Sequence, residues 1–155
     1  LMKIFFLTLF FFILDKLSKF YVIKHFSYNE ILYINNYLNI VNYKNTGFIL
    51  GGFSNIDRDI FVIVNIILFF IVSYYLIKIY LKNKNLFLSI SLLLGGAFGN
   101  LYDRIFNYGV TDFLDFHYKN IHWPAFNLAD LFITSGIIIF IIKSLKESDF
   151  VYRNR

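Results

Sequence analysis

The sequence predicts an all-α membrane protein with four transmembrane helices and a small extracytoplasmic β-sheet after the first helix. Of its 155 residues, 58% are hydrophobic and only 16% are charged, whereas a soluble domain carries about a quarter charged residues. The apolar residues concentrate in four windows, each close to the roughly 20 residues that a helix needs to cross a bilayer. Between the first two windows lies a polar segment rich in strand-forming residues. These observations predict one integral membrane domain that covers residues 1–155.

The first helix is the least certain of the four, because Asp15, Lys16 and Lys19 interrupt its apolar run. Lys3 followed by Ile4–Leu14 also has the shape of a cleaved signal peptide. The charged residues stand where a small-residue cleavage site would be needed, so a retained helix is the favoured interpretation. The Leu1-Met2 start leaves the true initiation residue open. The helices are predicted at approximately 4–23, 60–81, 86–105 and 126–145.

The two outer loops differ from simple linkers. Residues Tyr28–Ile34 and Tyr37–Tyr43 are rich in strand formers with partial alternation, which predicts a small sheet on the outer membrane surface. The second loop ends in Trp123-Pro124. Trp favours the head-group level of a bilayer, and Pro suits a chain that is about to enter a helix. The loops are predicted to cover 24–59 and 106–125.

Lysine and arginine residues near the helix ends predict the orientation. They favour the side that carries both chain termini, which the positive-inside rule assigns to the cytoplasm. The net charge of +5 forms no continuous stripe, so these residues fit contacts with anionic lipid head groups better than a nucleic-acid site. The residues on the side of the termini are Lys3, Lys78, Lys82, Lys84, Lys143, Lys146, Arg153 and Arg155, against Lys24, Lys44, Arg58 and Lys119 on the other side.

Polar residues within or beside the helices converge on the outer face. With both termini inside, the first and third helices run outward and the fourth runs inward. Their polar groups therefore meet at one end of the bundle, together with residues of the two outer loops. Ionisable residues at membrane depth are costly and are functional candidates by default. The converging residues are Asp15, Lys19, Asn45, Asn100, Asp103, Arg104, Asp112, Asp115, Asn127 and Asp130.

Each of these residues also has a structural interpretation. Asp15 and Lys19 are four residues apart and can form an ion pair on one helix face. Arg104 can extend to the lipid head groups. Asn127 and Asp130 resemble a helix N-cap followed by an acidic residue in the first turn. Glycines on the third helix can serve close helix packing, and these are Gly95, Gly96 and Gly99.

Two neighbouring carboxylates in a poorly hydrated site can catalyse hydrolysis. Ionisation of one carboxyl group disfavours ionisation of the other, so one stays protonated near neutral pH. The ionised group can activate water, and the protonated group can polarise a carbonyl. Asp112 and Asp130 could form such a pair if their loop folds back over the fourth helix. The chain has no Cys and no Ser in a nucleophile-elbow pattern, which leaves no evident covalent alternative.

No metal site is predicted. His25, His117 and His122 show no metal-ligand spacing, and we expect them at the membrane interface.

Five motifs follow one another along almost the whole chain: Asp15–Lys19, Asn45–Gly47, Gly95–Arg104, Val110–Phe113 and Trp123–Asp130. In this order they resemble those of the lipoprotein signal peptidase family, also called signal peptidase II. Each motif alone is weak, but all five at the expected helix ends form a specific pattern. One departure is that Phe48-Ile49-Leu50 follows the second motif, where the family usually has small residues before Phe. This departure makes the loop bulkier and bears on the fit of the substrate.

The resemblance implies an aspartic endopeptidase of the bacterial inner membrane that needs no cofactor. Such an enzyme cuts a prolipoprotein just before its diacylglyceryl-modified Cys. The oligomeric state is open, although a site completed within one chain favours a monomer. By this resemblance Asp112 and Asp130 would form the catalytic dyad. The remaining motif residues would position the substrate or orient the dyad (Asn45, Gly47, Asn100, Arg104 and Asn127) or support the site (Asp15, Lys19 and Gly99).

Two other functions compete with this prediction. A small transporter or proton relay should carry ionisable groups through the depth of the bilayer, yet Asn65 and Ser73 are the polar groups within the second helix. A non-catalytic assembly protein would tolerate replacement of Asp112 and Asp130.

Overall fold

The computed structural model describes residues 1–47 and 57–153, with side chains up to Lys146. Within these residues, four α-helices and four β-strands follow one another, with one 3₁₀ turn at Lys84–Leu86. The helices are α1 (Met2–His25), α2 (Arg58–Lys82), α3 (Phe87–Phe106) and α4 (Leu128–Arg153). The strands are β1 (Ile31–Asn35), β2 (Leu38–Asn45), β3 (Val110–Tyr118) and β4 (Ile121–His122).

All four predicted helices are present, and each begins within two residues of its predicted start. Among the described residues, three segments are long and apolar enough to cross a membrane: Arg58–Lys82, Lys84–Phe106 and Leu128–Lys146. The 24-residue helix α1 is of similar length, but its central charged residues keep it outside that group. The crossing of the membrane by α1 therefore stays a prediction.

Helix α3 is the central helix of the bundle and contacts α1, α2 and α4. Its glycines allow this close approach. A Cβ atom at Gly95 would lie 2.7 Å from Cβ of Phe11 on α1. A Cβ atom at Gly96 would collide with the backbone oxygen of Ala129 on α4. The predicted packing role of these glycines is confirmed.

Helix α2 lies at the edge of the bundle and presents apolar side chains outward. Tyr80 is its only buried residue, and residues such as Phe70 (66% exposed) and Ile67 (52% exposed) face away from the protein. A helix that is apolar all round is suited to an environment of lipid or of packed protein. This surface matches a helix in contact with acyl chains.

The four strands form one antiparallel sheet in the order β1-β2-β3-β4. Strands β1 and β2 occupy the two segments for which the sequence predicted strands. Strands β3 and β4, however, arise from the second outer loop, so the sheet is not confined to the segment after the first helix. The pairing of β2 with β3 joins the two loops, with Tyr43 opposite Asp112 and Asn39 opposite Asp115.

Strand β3 lies over the beginning of α4. The backbone N–H groups of Phe113 and Leu114 donate to the carbonyl oxygen of Phe126 at 3.0 and 2.8 Å, and the N–H of Phe126 donates back to Leu114 at 3.0 Å. Strand β3 also contacts α1 and α3. The second loop therefore folds back over the fourth helix and carries Asp112 to the first turn of α4.

Candidate active site

A buried polar cluster lies where α1, α3, β3 and the start of α4 meet. Burial of this many polar groups in a small domain requires that they satisfy one another. The cluster contains most of the residues that the sequence grouped at the outer face. Its buried members are Asp15, Lys19, Asn100, Asp103, Asp112 and Asn127, each between 0 and 6% exposed.

Asn127 joins the two candidate catalytic carboxylates. Its Nδ2 donates to Oδ1 of Asp112 at 2.6 Å. Its backbone N–H donates to Oδ2 of Asp130 at 3.2 Å, and its Oδ1 accepts from the N–H of Asp130 at 3.1 Å. The reciprocal bonds with Asp130 form a capping box at the start of α4. Asn127 is thus both a helix cap, as its structural interpretation held, and the link between Asp112 and Asp130.

Asp112 is held by two amide donors in a poorly hydrated position. Asn127 donates to one carboxylate oxygen, and Nδ2 of Asn45 donates to the other at 3.0 Å. Only 4% of Asp112 is exposed. Burial raises the pKa of Asp112 to about 6, and the negative charge of Asp130 adds to this effect, although the two hydrogen bonds oppose it. Asp112 therefore keeps a proton at a pH where an exposed aspartate would be ionised.

The Asn45–Gly47 motif forms a tight turn that requires these residue types. Oδ1 of Asn45 accepts from the N–H of Gly47 at 2.8 Å, which closes an Asx turn and leaves Nδ2 aimed at Asp112. Gly47 has φ +91°, a conformation that favours glycine, and a Cβ atom there would lie 2.5 Å from the ring of Phe61. The bulky segment Phe48-Ile49-Leu50 lies outside the described residues.

Asp130 is also held by a series of hydrogen bonds and ion pairs that leads back to α1. Nδ2 of Asn100 donates to Oδ1 of Asp130 at 2.8 Å, and Nζ of Lys19 donates to Oδ1 of Asn100 at 3.0 Å. Lys19 in turn forms ion pairs with Asp15 and Asp103, both at 2.8 Å. These contacts fix the orientation of the Asn100 amide, because its Oδ1 must face Lys19 and its Nδ2 must face Asp130.

Asp15 also ties α1 to α4. Its Oδ1 accepts from the backbone N–H of Ala129 at 3.0 Å, which is one of the N–H groups that a helix start leaves unpaired. Gly99 lies against the same carboxylate, so that a Cβ atom would collide with Oδ2 of Asp15. Asp103 has a second cation partner, Lys16, which the sequence analysis did not identify.

Arg104 lies near the carboxylates. Its Nη1 donates to the backbone oxygen of Asn100 at 3.1 Å, and its guanidinium interacts electrostatically with Asp130, Asp112 and Asp103. Its Nε is buried and has no hydrogen-bond partner among the described residues.

An apolar cavity of about 580 Å³ opens onto Asp130 between α2, α3 and α4. Its polar end is formed by Asn100, Arg104 and Asp130. On its other side, Asp130 borders a second cavity of about 500 Å³, which Trp123 and Phe116 help to line. The apolar walls of the larger cavity include Leu68, Phe69, Val72, Leu76, Leu93, Ile133 and Ile137.

The apolar helices and the polar cluster between them define a multi-pass membrane protein with an internal polar site. A sequence model of the family described as signal peptidase (SPase) II matches residues 7–146. The chain therefore belongs to the signal peptidase II family and is a peptidase.

Individual relatives and solved structures agree with this assignment. The chain is 37% identical over 135 residues to a lipoprotein signal peptidase of Thermodesulfovibrio yellowstonii, covering 87% of this chain and 89% of the relative. It is also 37% identical over 136 residues to a lipoprotein signal peptidase of Anaplasma phagocytophilum, covering 86% of each chain. A solved structure described as a bacterial membrane enzyme matches with a TM-score of 0.78 and 31% identity, covering 94% of this chain and 88% of that one.

Proposed function

We propose that this protein is a membrane-embedded aspartic endopeptidase that removes the signal peptide from diacylglyceryl-modified prolipoproteins. The cut would fall just before the lipidated Cys, and Asp112 and Asp130 would activate the attacking water. The observation that carries the proposal is the bridge through Asn127, which hydrogen-bonds to the side chains of both carboxylates. The names of the relatives supply the class of substrate.

The chemistry follows from a pair of carboxylates that share one proton. The ionised member removes a proton from water, whose oxygen attacks the scissile carbonyl carbon. The protonated member donates to the carbonyl oxygen, and a tetrahedral intermediate forms. When the C–N bond breaks, a proton from the pair goes to the leaving nitrogen, and a hydroxyl proton of the intermediate returns to the pair. The raised pKa of Asp112 supports this scheme, because a carboxyl group that keeps its proton at a higher pH can act as the proton donor.

The cavities suit a substrate that is itself membrane-bound. The apolar walls between α2 and α4 offer a slot for an apolar signal helix. The polar end beside Asp130 would receive the scissile peptide, and Arg104 would donate to a nearby carbonyl. The second cavity, next to Trp123, would receive the residues on the other side of the cut.

We further propose that α1 is the fourth membrane-spanning helix. Its charged residues do not require water, because Asp15 and Lys19 are 0 and 1% exposed and pair with each other. Charged residues that face a bundle interior and pair are compatible with a membrane span. Four spans would place both termini in the cytoplasm of a bacterium and the site near the outer face of its inner membrane. The polar cluster is completed by one chain, which favours a monomer.

A cleavage assay with purified, detergent-solubilised protein tests the substrate class. A diacylglyceryl-modified prolipoprotein and the same protein without the lipid would be incubated in parallel, and mass spectrometry would locate the cut. The proposal predicts cleavage before the lipidated Cys and little cleavage of the unmodified protein. Equal cleavage of both proteins, or a cut at another position, would contradict it. The variant Glu30→Gln, at an exposed residue of the loop after α1, serves as a control that should cleave normally.

A further inference from the structure

A second cluster of chemically active side chains lies on the sheet, apart from the paired carboxylates. Asp115 and His117 are two residues apart on β3, so their side chains point to the same face of the strand. His122 on β4 pairs with His117 across the hairpin, and directly opposed residues present their side chains on one face. Strand alternation and register thus bring a carboxylate and two imidazoles together.

The geometry of this cluster is that of a metal site. One ligand atom from each of the three residues lies within 4.8 Å of the others. Nδ1 of His122 is 2.9 Å from Oδ1 of Asp115, and the rings of His117 and His122 stack with their centroids 5.1 Å apart. Zinc bonds to N and O are about 2.0–2.2 Å, so the ligand atoms of one tetrahedral ion lie about 3.3–3.6 Å apart. The side chains would therefore adjust around the ion, and the side chain of His122, which is 50% exposed, has room to do so.

Two further features indicate that these side chains bind a metal ion rather than only contact one another within the hairpin. Nδ1 of His117 is buried and has no hydrogen-bond partner among the residues that the structure describes, which is unusual for a buried polar atom. Nδ2 of the buried Asn39 donates to Oδ2 of Asp115 at 2.9 Å. Metal-binding carboxylates are commonly oriented by such a hydrogen bond from a neighbouring side chain.

We propose that Asp115, His117 and His122 bind one divalent transition-metal ion, with Zn²⁺ as the best fit. Two imidazole nitrogens and one carboxylate oxygen suit zinc and its neighbours in the first transition row, whereas Mg²⁺ and Ca²⁺ prefer oxygen ligands. The exposed side of His122 leaves a fourth position for water. Because β3 also carries Asp112, the ion would brace the strand that holds this carboxylate and would take no part in peptide hydrolysis.

Zinc titration of the full chain tests the proposal. The protein would be purified with its affinity tag removed, treated with a chelator and titrated with Zn²⁺ against a fluorescent competitor. The wild type should bind one ion. His117→Gln and His122→Ala should each weaken binding at least about tenfold, as loss of even a residue that only supports a ligand does. His25→Ala removes an exposed histidine elsewhere in the chain, and it should bind like the wild type.

Two further measurements make the result decisive. Co²⁺ in place of Zn²⁺ should give a visible absorption band in the wild type that His122→Ala lacks. Zn²⁺, but not Mg²⁺, should raise the unfolding temperature of the wild type and of His25→Ala. The apparent unfolding temperature without metal reports whether each variant is folded. The proposal would be overturned if the wild type bound no zinc. It would also be overturned if folded His117→Gln and His122→Ala bound zinc as tightly as the wild type.

Discussion

Nδ2 of Asn127 donates a hydrogen bond of 2.6 Å to Asp112, while the backbone N–H and Oδ1 of Asn127 are engaged with Asp130. One amide side chain therefore sets the orientation of Asp112 and caps the helix that carries Asp130. These two roles can be separated by substitution, because serine also caps helices but has no amide donor of the same reach.

Asn127→Ser should lose most of the activity and less stability than Asn127→Ala. Both variants lose the buried hydrogen bond to Asp112, but Asn127→Ser retains the helix cap and should be about 1 kcal/mol more stable than Asn127→Ala. Both variants release Asp112, and a misplacement of about 1 Å can cost about 100-fold in rate. Thermal unfolding and initial cleavage rates measured on the same preparations would check this. Normal activity in Asn127→Ser would contradict a positioning role.

The pH dependence of cleavage should follow the raised pKa of Asp112. This pKa is about 6 in the free protein, and kcat/KM reports groups of the free enzyme. Loss of the shared proton should lower kcat/KM by about tenfold for each pH unit well above that value. Initial rates at substrate concentrations below KM, measured across pH 5 to about 9, would test it. A flat profile over this range would contradict the requirement for a protonated carboxyl group.

The same shift predicts how stability varies with pH. Because the pKa of Asp112 is raised in the folded state, the folded protein binds more protons than the unfolded chain between the ordinary aspartate value and about 6. The contribution of Asp112 to stability should therefore fall as the pH rises through that window and level off above it. The variant Asp112→Asn lacks this titration.

The unfolding temperature of Asp112→Asn should consequently increase, relative to that of the wild type, between about pH 4 and pH 7. Scanning fluorimetry in one detergent at several pH values would measure the difference. Asp57→Asn is a suitable control, because Asp57 lies at the exposed start of α2, where asparagine also caps a helix. A difference between wild type and Asp112→Asn that does not change with pH would contradict the assigned shift.

Lys19→Met should be strongly destabilising. Lys19 is 1% exposed and pairs with Asp15 and Asp103, so its removal leaves buried carboxylates without their shared cation. Breaking a buried pair in this way typically costs about 3–5 kcal/mol. Lys24→Met on the same helix changes an exposed residue and should have little effect. Similar unfolding temperatures for the two variants would contradict the structural role of the pairs.

The helices could be predicted from the sequence because hydropathy reports directly on the membrane environment. The first two strands were also predictable from their strand formers. Strand β3 was not, because Val110–Tyr118 contains two aspartates, which are disfavoured in strands. Its pairing with β2 is a tertiary effect that overrides local propensity.

The candidate site was predictable as a set of residues, but its connections were not. Spacing along one helix indicates a pair such as Asp15 and Lys19. The ion pair of Lys16 with Asp103 joins two helices and cannot be read from spacing. The cluster at Asp115 was missed because the histidines were judged by their separation in sequence, whereas strand alternation and the hairpin register bring them together.

A double-mutant set tests whether Asp112 and Asp130 act as one catalytic unit. Single-turnover cleavage of a lipidated prolipoprotein would be measured for Asp112→Asn, Asp130→Asn and the double variant, each shown to be folded. Residues that act as a unit give single losses about as large as the double loss. Each single variant should lose nearly all cleavage, and the double variant should lose no more than either single variant. A folded single variant that cleaves at close to the wild-type rate would contradict it.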